Sequence, residues 1–286
     1  MLAADRVDDC PHDWIIESRL DIDAHLDRLL SPVQASPVTD AMRYSALAPG
    51  KRVRPLLTLA VTDFLGAPNA SAMHVACAIE MIHSASLIFD DLPCMDNDFE
   101  RRRRLATHVE FGQDLAILAA VSLLTQSYCT VASHAALAPD LKLKLIELLC
   151  DAVGPSGLSL GQYIDLNSKD DAASPAAITN IHHLKTGVLF LAAAKAGCLI
   201  GNASPSQEEK IMRFTRNIGL AFQLQDDLKD IDTAGMNLAT RIGVANAERK
   251  FVEYLEAADN AIDGEENAAC LRKIAGALFP DMVEHF

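Results

Sequence analysis

The sequence predicts an all-α fold, and three observations lead there. Ala and Leu dominate a composition that is 50% hydrophobic. Alternating Val, Ile and Thr, the mark of half-buried strands, is scarce. Apolar residues recur instead at the three- and four-residue spacing that gathers them on one side of a helix. No stretch reads as a strand. With 286 residues, no linker-like segment and no internal repeat, the chain is expected to form one domain over 1–286, with 1–12 frayed.

The elements follow in order. An amphipathic helix is expected over Asp13 to Leu30, ended by the Ser31-Pro32 and Ser36-Pro37 pairs, and a short helix runs from Thr39 to Ala48. Pro49 to Pro55 (PGKRVRP) is a basic turn in which Gly50 supplies backbone freedom and Pro55 opens the next helix at its first position. A long apolar helix from Ala72 to Asp91 ends in an acidic cluster. Pro93 stops that helix, so Asp96 has to reach back from a turn. Helices are then expected over Asp114 to Ala136, Asp140 to Val153 and Leu158 to Asn167. A polar loop from Lys169 to Ser174 precedes a long helix from Pro175 to Ile200. The helix from Ser206 to Asp230 delivers a second acidic cluster, and helices over Val244 to Ile262 and Glu266 to Leu278 finish the chain.

The formal charge of −14 argues against a general nucleic-acid binder, and the run Arg101 to Arg104 is too local to reverse that. It suggests a local anion site. The cysteines number seven, an odd count with no C-x-x-C pair. With no signal-like segment at the acidic N-terminus they read as reduced thiols of a cytoplasmic protein. The longest uninterrupted apolar run, Leu115 to Leu124, is far short of a bilayer span, so no membrane span is expected.

The chemistry is concentrated in the two acidic clusters. Asp226 and Asp230 are four residues apart and Asp227 and Asp230 three apart, so these carboxylates share one face of a helix end. Asp90, Asp91 and Asp96 form the first cluster. Carboxylates gathered this way repel unless a hard divalent cation sits among them, and Mg²⁺ binds a few carboxylates while keeping waters and substrate phosphates as its other ligands. Around them lie cations suited to diphosphate: Lys51, Arg52 and Arg54 beside helix-starting N–H groups, and the Arg101 to Arg104 run. His83 lies seven residues before Asp90, on nearly the same face. Ala85 and Ser86 are small and leave room beneath the acidic rim. Lys185-Thr186 stands amid apolar residues, and Gln162 and Asp165 form a polar pair on an otherwise apolar helix.

With these residues in hand, the chain resembles the trans-isoprenyl diphosphate synthases, specifically the bacterial geranylgeranyl diphosphate synthase type. The resemblance is carried in order by Gly50 to Pro55, His83, Asp90 to Asp98, Arg101-Arg102, His108, Phe111-Gly112, Gly161-Gln162, Leu184 to Gly187 and Phe222 to Asp227. It implies an all-α bundle around a deep central cavity, a homodimer, and two aspartate-rich motifs on opposite walls. It implies that Asp90, Asp91, Asp96, Asp226, Asp227 and Asp230 hold Mg²⁺, about three ions per site, on the allylic diphosphate, with Arg101, Lys185, Thr186 and Gln223 assisting. Lys51, Arg54, His83 and Arg102 would hold isopentenyl diphosphate.

The reaction so implied is head-to-tail condensation of isopentenyl diphosphate with dimethylallyl, geranyl or farnesyl diphosphate. Asp90, Asp91, Lys185, Asp226 and Asp227 carry the ionisation step. In the family, bulky aromatics four and five residues before the first aspartate stop growth at fifteen carbons. Ser86 and Ala85 occupy those positions, so the twenty-carbon geranylgeranyl product is expected. Phe89, one turn after Ala85, could narrow the mouth towards the fifteen-carbon farnesyl product. The family's lysine-bearing loop after the second cluster is replaced by Ile231 to Thr240, which leaves Lys229 or Arg241 to compensate and raises the alternative of a catalytically weak regulatory subunit. A class I terpene synthase is the other alternative, but such enzymes usually carry an Asn/Ser/Glu-type second motif and need no basic site like that at Lys51 to Arg54. Phe99, Arg103 and Leu105 depart from the family's frequent acidic residue, glycine and proline.

Overall fold

The chain packs its helices around a long central one. The structure, a computed structural model, describes residues 13–31, 34–168, 174–231 and 237–280. Its helices are α1 (Trp14–Leu29), α2 (Pro37–Ala46), α3 (Val53–Phe64), α4 (Asn69–Asp90), α5 (Thr107–Phe111), α6 (Gln113–Ser133), α7 (Pro139–Val153) and α8 (Leu158–Asn167). They continue as α9 (Pro175–His182), α10 (Val188–Ile200), α11 (Pro205–Lys229), α12 (Leu238–Ile242), α13 (Val244–Ile262) and α14 (Ala269–Leu278). Helix α4 is the hub: α3 and α6 pack along it, α10 crosses against both α3 and α4, and α11 pairs with α13 on the outside. The core is correspondingly apolar, with Ile79, Met81 and Ile82 of α4 fully buried beside Leu57, Leu123 and Phe190.

Local chemistry sets the helix ends. Ser36 caps α2, its hydroxyl accepting from the Thr39 N–H at 3.2 Å, with Pro37 in the first turn. Ser204 and Gln207 form a reciprocal capping box that starts α11, each side chain satisfying the other's backbone N–H. Pro55 is not the first residue of α3 but the third, because Arg52 takes the left-handed cap conformation at φ 51°. Proline is tolerated there since the first four N–H groups of a helix have no intrahelical acceptor.

Two local features depart from the expected pattern. A two-residue antiparallel pair, β1 (Glu100–Arg101) with β2 (Arg104–Leu105), stands where no strand was expected. Its turn residues Arg102 and Arg103 have φ 55° and 62°, the positive-φ pair of a type I′ hairpin, formed without glycine. The expected single helix Pro175 to Ile200 is interrupted by a π-helical turn, His183–Gly187.

Cys77, Cys94, Cys129, Cys150 and Cys198 are free thiols. Cys270 is disulfide-bonded, against the expectation of thiols throughout. An odd count leaves room for one pair, and spacing along the chain says nothing about cysteines brought together by folding.

Three helical stretches, Asn69–Asp90, Gln113–Ser133 and Pro175–Ile200, are long and apolar enough by length and composition to cross a membrane. The expectation of no span rested on uninterrupted apolar runs, whereas these helices mix in a few polar residues and qualify by length and composition alone. Within the fold the first is 67% buried over its apolar window and α6 only 39%, which leaves Ile117, Leu118 and Val121 of α6 exposed.

Candidate active site

The first acidic cluster is shaped by the end of α4. The helix stops at Asp90, and the chain folds back so that the Asp96 N–H donates to the Asp90 carbonyl at 2.9 Å. Asp96 therefore returns to the helix end as expected. Asp90 and Asp91 diverge, because successive residues on a helix point about 100° apart. Asp90 lines an apolar cavity, whereas Asp91 is 2% exposed and faces the other way, gripped by Arg101. Arg101 Nε donates to Asp91 at 2.8 Å and its Nη2 also meets Asp98 at 2.6 Å. The geometry thus removes Asp91 from the cavity and holds Arg101 on carboxylates of its own chain segment.

The cavity runs alongside α4, with a volume of about 360 Å³, within the usual range for ligand sites. Asp90, Gln162 and Lys185 supply polar groups, and Ile82, Ser86, Phe89, Met95, Leu124, Leu158 and Tyr163 line its walls. Ser86 and Phe89 stand where expected. Ala85 does not: it is fully buried in the core and outside the lining, because the cavity-facing residues of α4 follow the series 82, 86, 89, 90 and Ala85 falls on its flank.

Lys185 is the junction. It sits in the π turn, a distortion frequent at functional sites, and forms an ion pair with Asp165 of α8 while lying 4.0 Å from Asp96. Gln162, one turn earlier on α8, donates to Asp96 at 3.2 Å. This requires α8 to press against the π turn. Gly161 permits it: a Cβ there would lie 2.8 Å from both the Lys185 nitrogen and the Leu184 Cβ. The next residue, Thr186, accepts from Gln223 of α11 at 3.0 Å, so the π turn ties the first cluster to the helix carrying the second.

On α11, Asp226 and Asp227 also diverge. Asp227 Oδ2 accepts the Leu238 N–H at 2.9 Å, and His182 Nε2 lies 3.7 Å from its other oxygen. Burial raises the pKa of Asp226 against the pull of Lys229 and Lys51. Burial also pushes Asp90 and Asp227 up to about 6, opposed at Asp90 by Lys185 and at Asp227 by the Leu238 N–H. Lys229 donates to Gln225 at 3.0 Å. Residues 232–236 of the lysine-free segment lie outside the described residues.

The basic turn meets α11 through aromatic rings. Lys51 Nζ stands 5.9 Å from the centre of Phe222, and the Arg54 guanidinium 5.0 Å from that of Phe190, the two rings themselves being 5.9 Å apart. Arg54 Nε is buried with no hydrogen-bond partner, and burial lowers the Arg54 pKa to about 10. Arg52 has no such freedom, since it bonds Asp23, Glu80 and the Ala48 carbonyl. His83 is held neutral, its pKa well below the imidazole range through burial and the nearby Arg54 and Arg102. A buried guanidinium nitrogen with no hydrogen-bonded partner of its own suits an incoming anion.

Among the described residues no three ligating side chains could hold a metal ion by themselves. Mg²⁺ does not need that, since it takes one or two carboxylates with waters and substrate phosphates. Half-buried carboxylates whose ionised form burial disfavours, such as Asp90 and Asp226, gain from a cation beside them and fit this role. Sequence reading missed Glu80, Phe190 and His182, and gave Asp165 no task. A glutamate inside an otherwise apolar helix was the available signal for Glu80.

An all-α bundle with Asp90 and Lys185 on one apolar cavity, and a second acidic helix end tied to it through Thr186 and Gln223, fits the isoprenyl diphosphate synthase architecture that the sequence led us to expect. The polyprenyl synthetase family matches residues 35–251, and the chain belongs to that family. It is 37% identical over 272 residues to a geranylgeranyl diphosphate synthase of Pseudescherichia vulneris, covering 91% of this chain and 89% of the relative. It is 38% identical over 251 residues to a farnesyl diphosphate synthase of Geobacillus stearothermophilus, covering 82% and 84%. Among solved structures, an FPP/GFPP synthase from Zymomonas mobilis superposes with a TM-score of 0.83 at 33% identity, covering 91% of this chain and 95% of that one. The names differ in product, so similarity alone does not set chain length.

Proposed function

We propose that the protein is a prenyltransferase that condenses isopentenyl diphosphate with dimethylallyl, geranyl and farnesyl diphosphates and releases geranylgeranyl diphosphate. The observation that carries this reading is an apolar cavity lined by Asp90 and Lys185 with two further charged sites tied to its rim. One is the second acidic helix end, where Thr186, next to Lys185, accepts from Gln223, one turn before Asp226 on α11. The other is basic, with Lys51 against Phe222 of the same helix and Arg54 and Arg102 near a neutral His83.

Asp90, Asp96, Asp226 and one oxygen of Asp227, with Asp230, would hold about three Mg²⁺ ions on the allylic diphosphate. When bound, the metal supplies Lewis-acid stabilisation of the departing diphosphate. Lys185 adds a cation beside it. The allylic C–O bond breaks, the double bond of the isopentenyl substrate attacks the allylic carbon, and loss of a proton restores an alkene five carbons longer. The isopentenyl diphosphate group remains on the product. Apolar walls matter because water would quench the cation, and Arg54 and Arg102 hold the second substrate in register.

Ser86 leaves the cavity open past the last turn of α4, and Ile82 lies roughly 12 Å below Asp90 at 1.5 Å per residue, which favours the twenty-carbon product. Phe89 in the lining favours a fifteen-carbon farnesyl product as the second reading. We assign the exposed Ile117, Leu118 and Val121 stripe of α6 to a homodimer interface rather than to lipid, in a cytoplasmic protein. Incubation of the purified chain with Mg²⁺, labelled isopentenyl diphosphate and each allylic primer tests the assignment. A labelled twenty-carbon diphosphate is expected; no incorporation with any primer overturns it.

A further inference from the structure

The basic site contains one group that the reaction does not use. Glu80 of α4 has a side chain only 1% exposed, and it lies against two guanidiniums, those of Arg52 and Arg102. Arg52 Nη1 donates to its Oε1 at 2.7 Å, Arg102 Nη2 stands 3.8 Å from the same oxygen, and its charge opposes the lowering of the Arg54 pKa by burial. Arg52 is also held by Asp23, which is 44% exposed, and by the Ala48 carbonyl. Arg102 shares that carbonyl at 3.3 Å and lies against Gly50, where a Cβ would stand 3.0 Å from its Cζ. Gly50 therefore serves to admit the arginine.

Of the three arginines, Arg52 is held by two carboxylates and a carbonyl, whereas Arg102 meets Glu80 only at 3.8 Å and Arg54 Nε is buried without a partner. Glu80 fixes the basic turn through Arg52 and cancels part of the field that an arriving anion would meet. We propose that Glu80 is a positioning residue for the isopentenyl diphosphate subsite, an internal counter-ion that limits how tightly Arg54 and Arg102 hold a diphosphate. This rests on the assignment of that subsite above. The limit has a purpose in elongation. The product retains the diphosphate of the isopentenyl substrate, so that group must leave the basic subsite for the acidic one before the next cycle. A stronger grip would stall growth.

Titration calorimetry with isopentenyl diphosphate in the absence of metal, alongside steady-state kinetics, tests this. Glu80→Gln keeps an acceptor for Arg52 and removes the charge. It is expected to bind isopentenyl diphosphate about tenfold more tightly, roughly 1.4 kcal/mol, to lower KM and kcat together, and to shift products towards shorter chains. Damage to the site alone would weaken binding, so unchanged or weaker binding by this variant overturns the proposal. Glu80→Asp keeps the charge with a shorter reach and is expected to bind within threefold of wild type. More than a tenfold loss there means that geometry rather than charge is what Glu80 supplies, which overturns the proposal even if Glu80→Gln does not fold. Wild-type binding and its loss in Arg54→Gln test the subsite itself: failure of either removes the subsite assignment and is distinguishable from a failure at Glu80.

Discussion

A phenylalanine at position 86 should shorten the product by at least one five-carbon unit. Ser86 lies on the cavity side of α4, four residues before Asp90, which at 1.5 Å per residue places it about 6 Å below the acidic mouth. Ile82 lies about as far again beneath it. Each of those steps is roughly the length of one isoprene unit, so a ring at 86 closes the lower step and leaves the upper one open. The matched control is Ala85→Phe. Ala85 is fully buried outside the lining, so its replacement should leave chain length unchanged. Overpacking there should instead cost about 1–3 kcal/mol, a fall in Tm of several degrees for a chain of this size at roughly 2–4 °C per kcal/mol. The assay is chromatography of labelled products after dephosphorylation, with calorimetry on both variants. Shortened products from Ala85→Phe and unchanged products from Ser86→Phe would refute the placement of the cavity wall.

Other consequences can be checked in parallel. Lys185→Gln removes the cation between Asp165 and Asp96 and should raise KM for the allylic primer by roughly 10–100-fold, the scale of a lost charged hydrogen bond, with KM for isopentenyl diphosphate nearly constant; equal rises in both would separate Lys185 from the allylic site. Gly161→Ala puts a methyl 2.8 Å from the Lys185 backbone, so kcat should fall at least about tenfold with a stability loss of about 1–3 kcal/mol, and wild-type kinetics would show that α8 need not press on the π turn. Burial raises Asp90 and Asp227 to about 6. Each therefore binds its proton more tightly folded than unfolded, contributing stability that is present below the unfolded value near 3.8 and lost as pH rises through about 6. Mg²⁺ competes with those protons, so it should raise Tm clearly at pH 7.5 and little at pH 5 in scanning calorimetry against EDTA; an equal rise at both would detach the ion from these carboxylates.

Much of the site was legible because its chemistry is local. Paired aspartates closing apolar helices, a basic turn before a helix, and a lysine in apolar surroundings are visible in short windows, and the structure joins Asp90, Asp96 and Lys185 and ties them through Thr186 to Gln223, one turn before Asp226. What escaped depends on partners distant in sequence. The π turn at His183–Gly187 leaves no mark in the spacing of apolar residues. Asp91 matches Asp90 in sequence, yet the 100° step turns it onto Arg101. The same angular detail moves Ala85 out of the cavity wall while Ser86 stays in it. Glu80 shows its role only when Arg52, 28 residues earlier, is seen bonded to it. The Arg102-Arg103 turn could be read only as a departure from the family's glycine, not as a hairpin.

The central claim is that two acidic clusters far apart in sequence serve a single diphosphate above one apolar cavity. A crystal structure with Mn²⁺ in place of Mg²⁺ and farnesyl thiodiphosphate, with the ions located by anomalous scattering, measures this directly. The account predicts metal ions on Asp90 and Asp96 and on Asp226, all contacting the same diphosphate, with the hydrocarbon tail running past Ser86 towards Ile82. A diphosphate touching ions of only one cluster, or a tail lying outside the cavity, would contradict it.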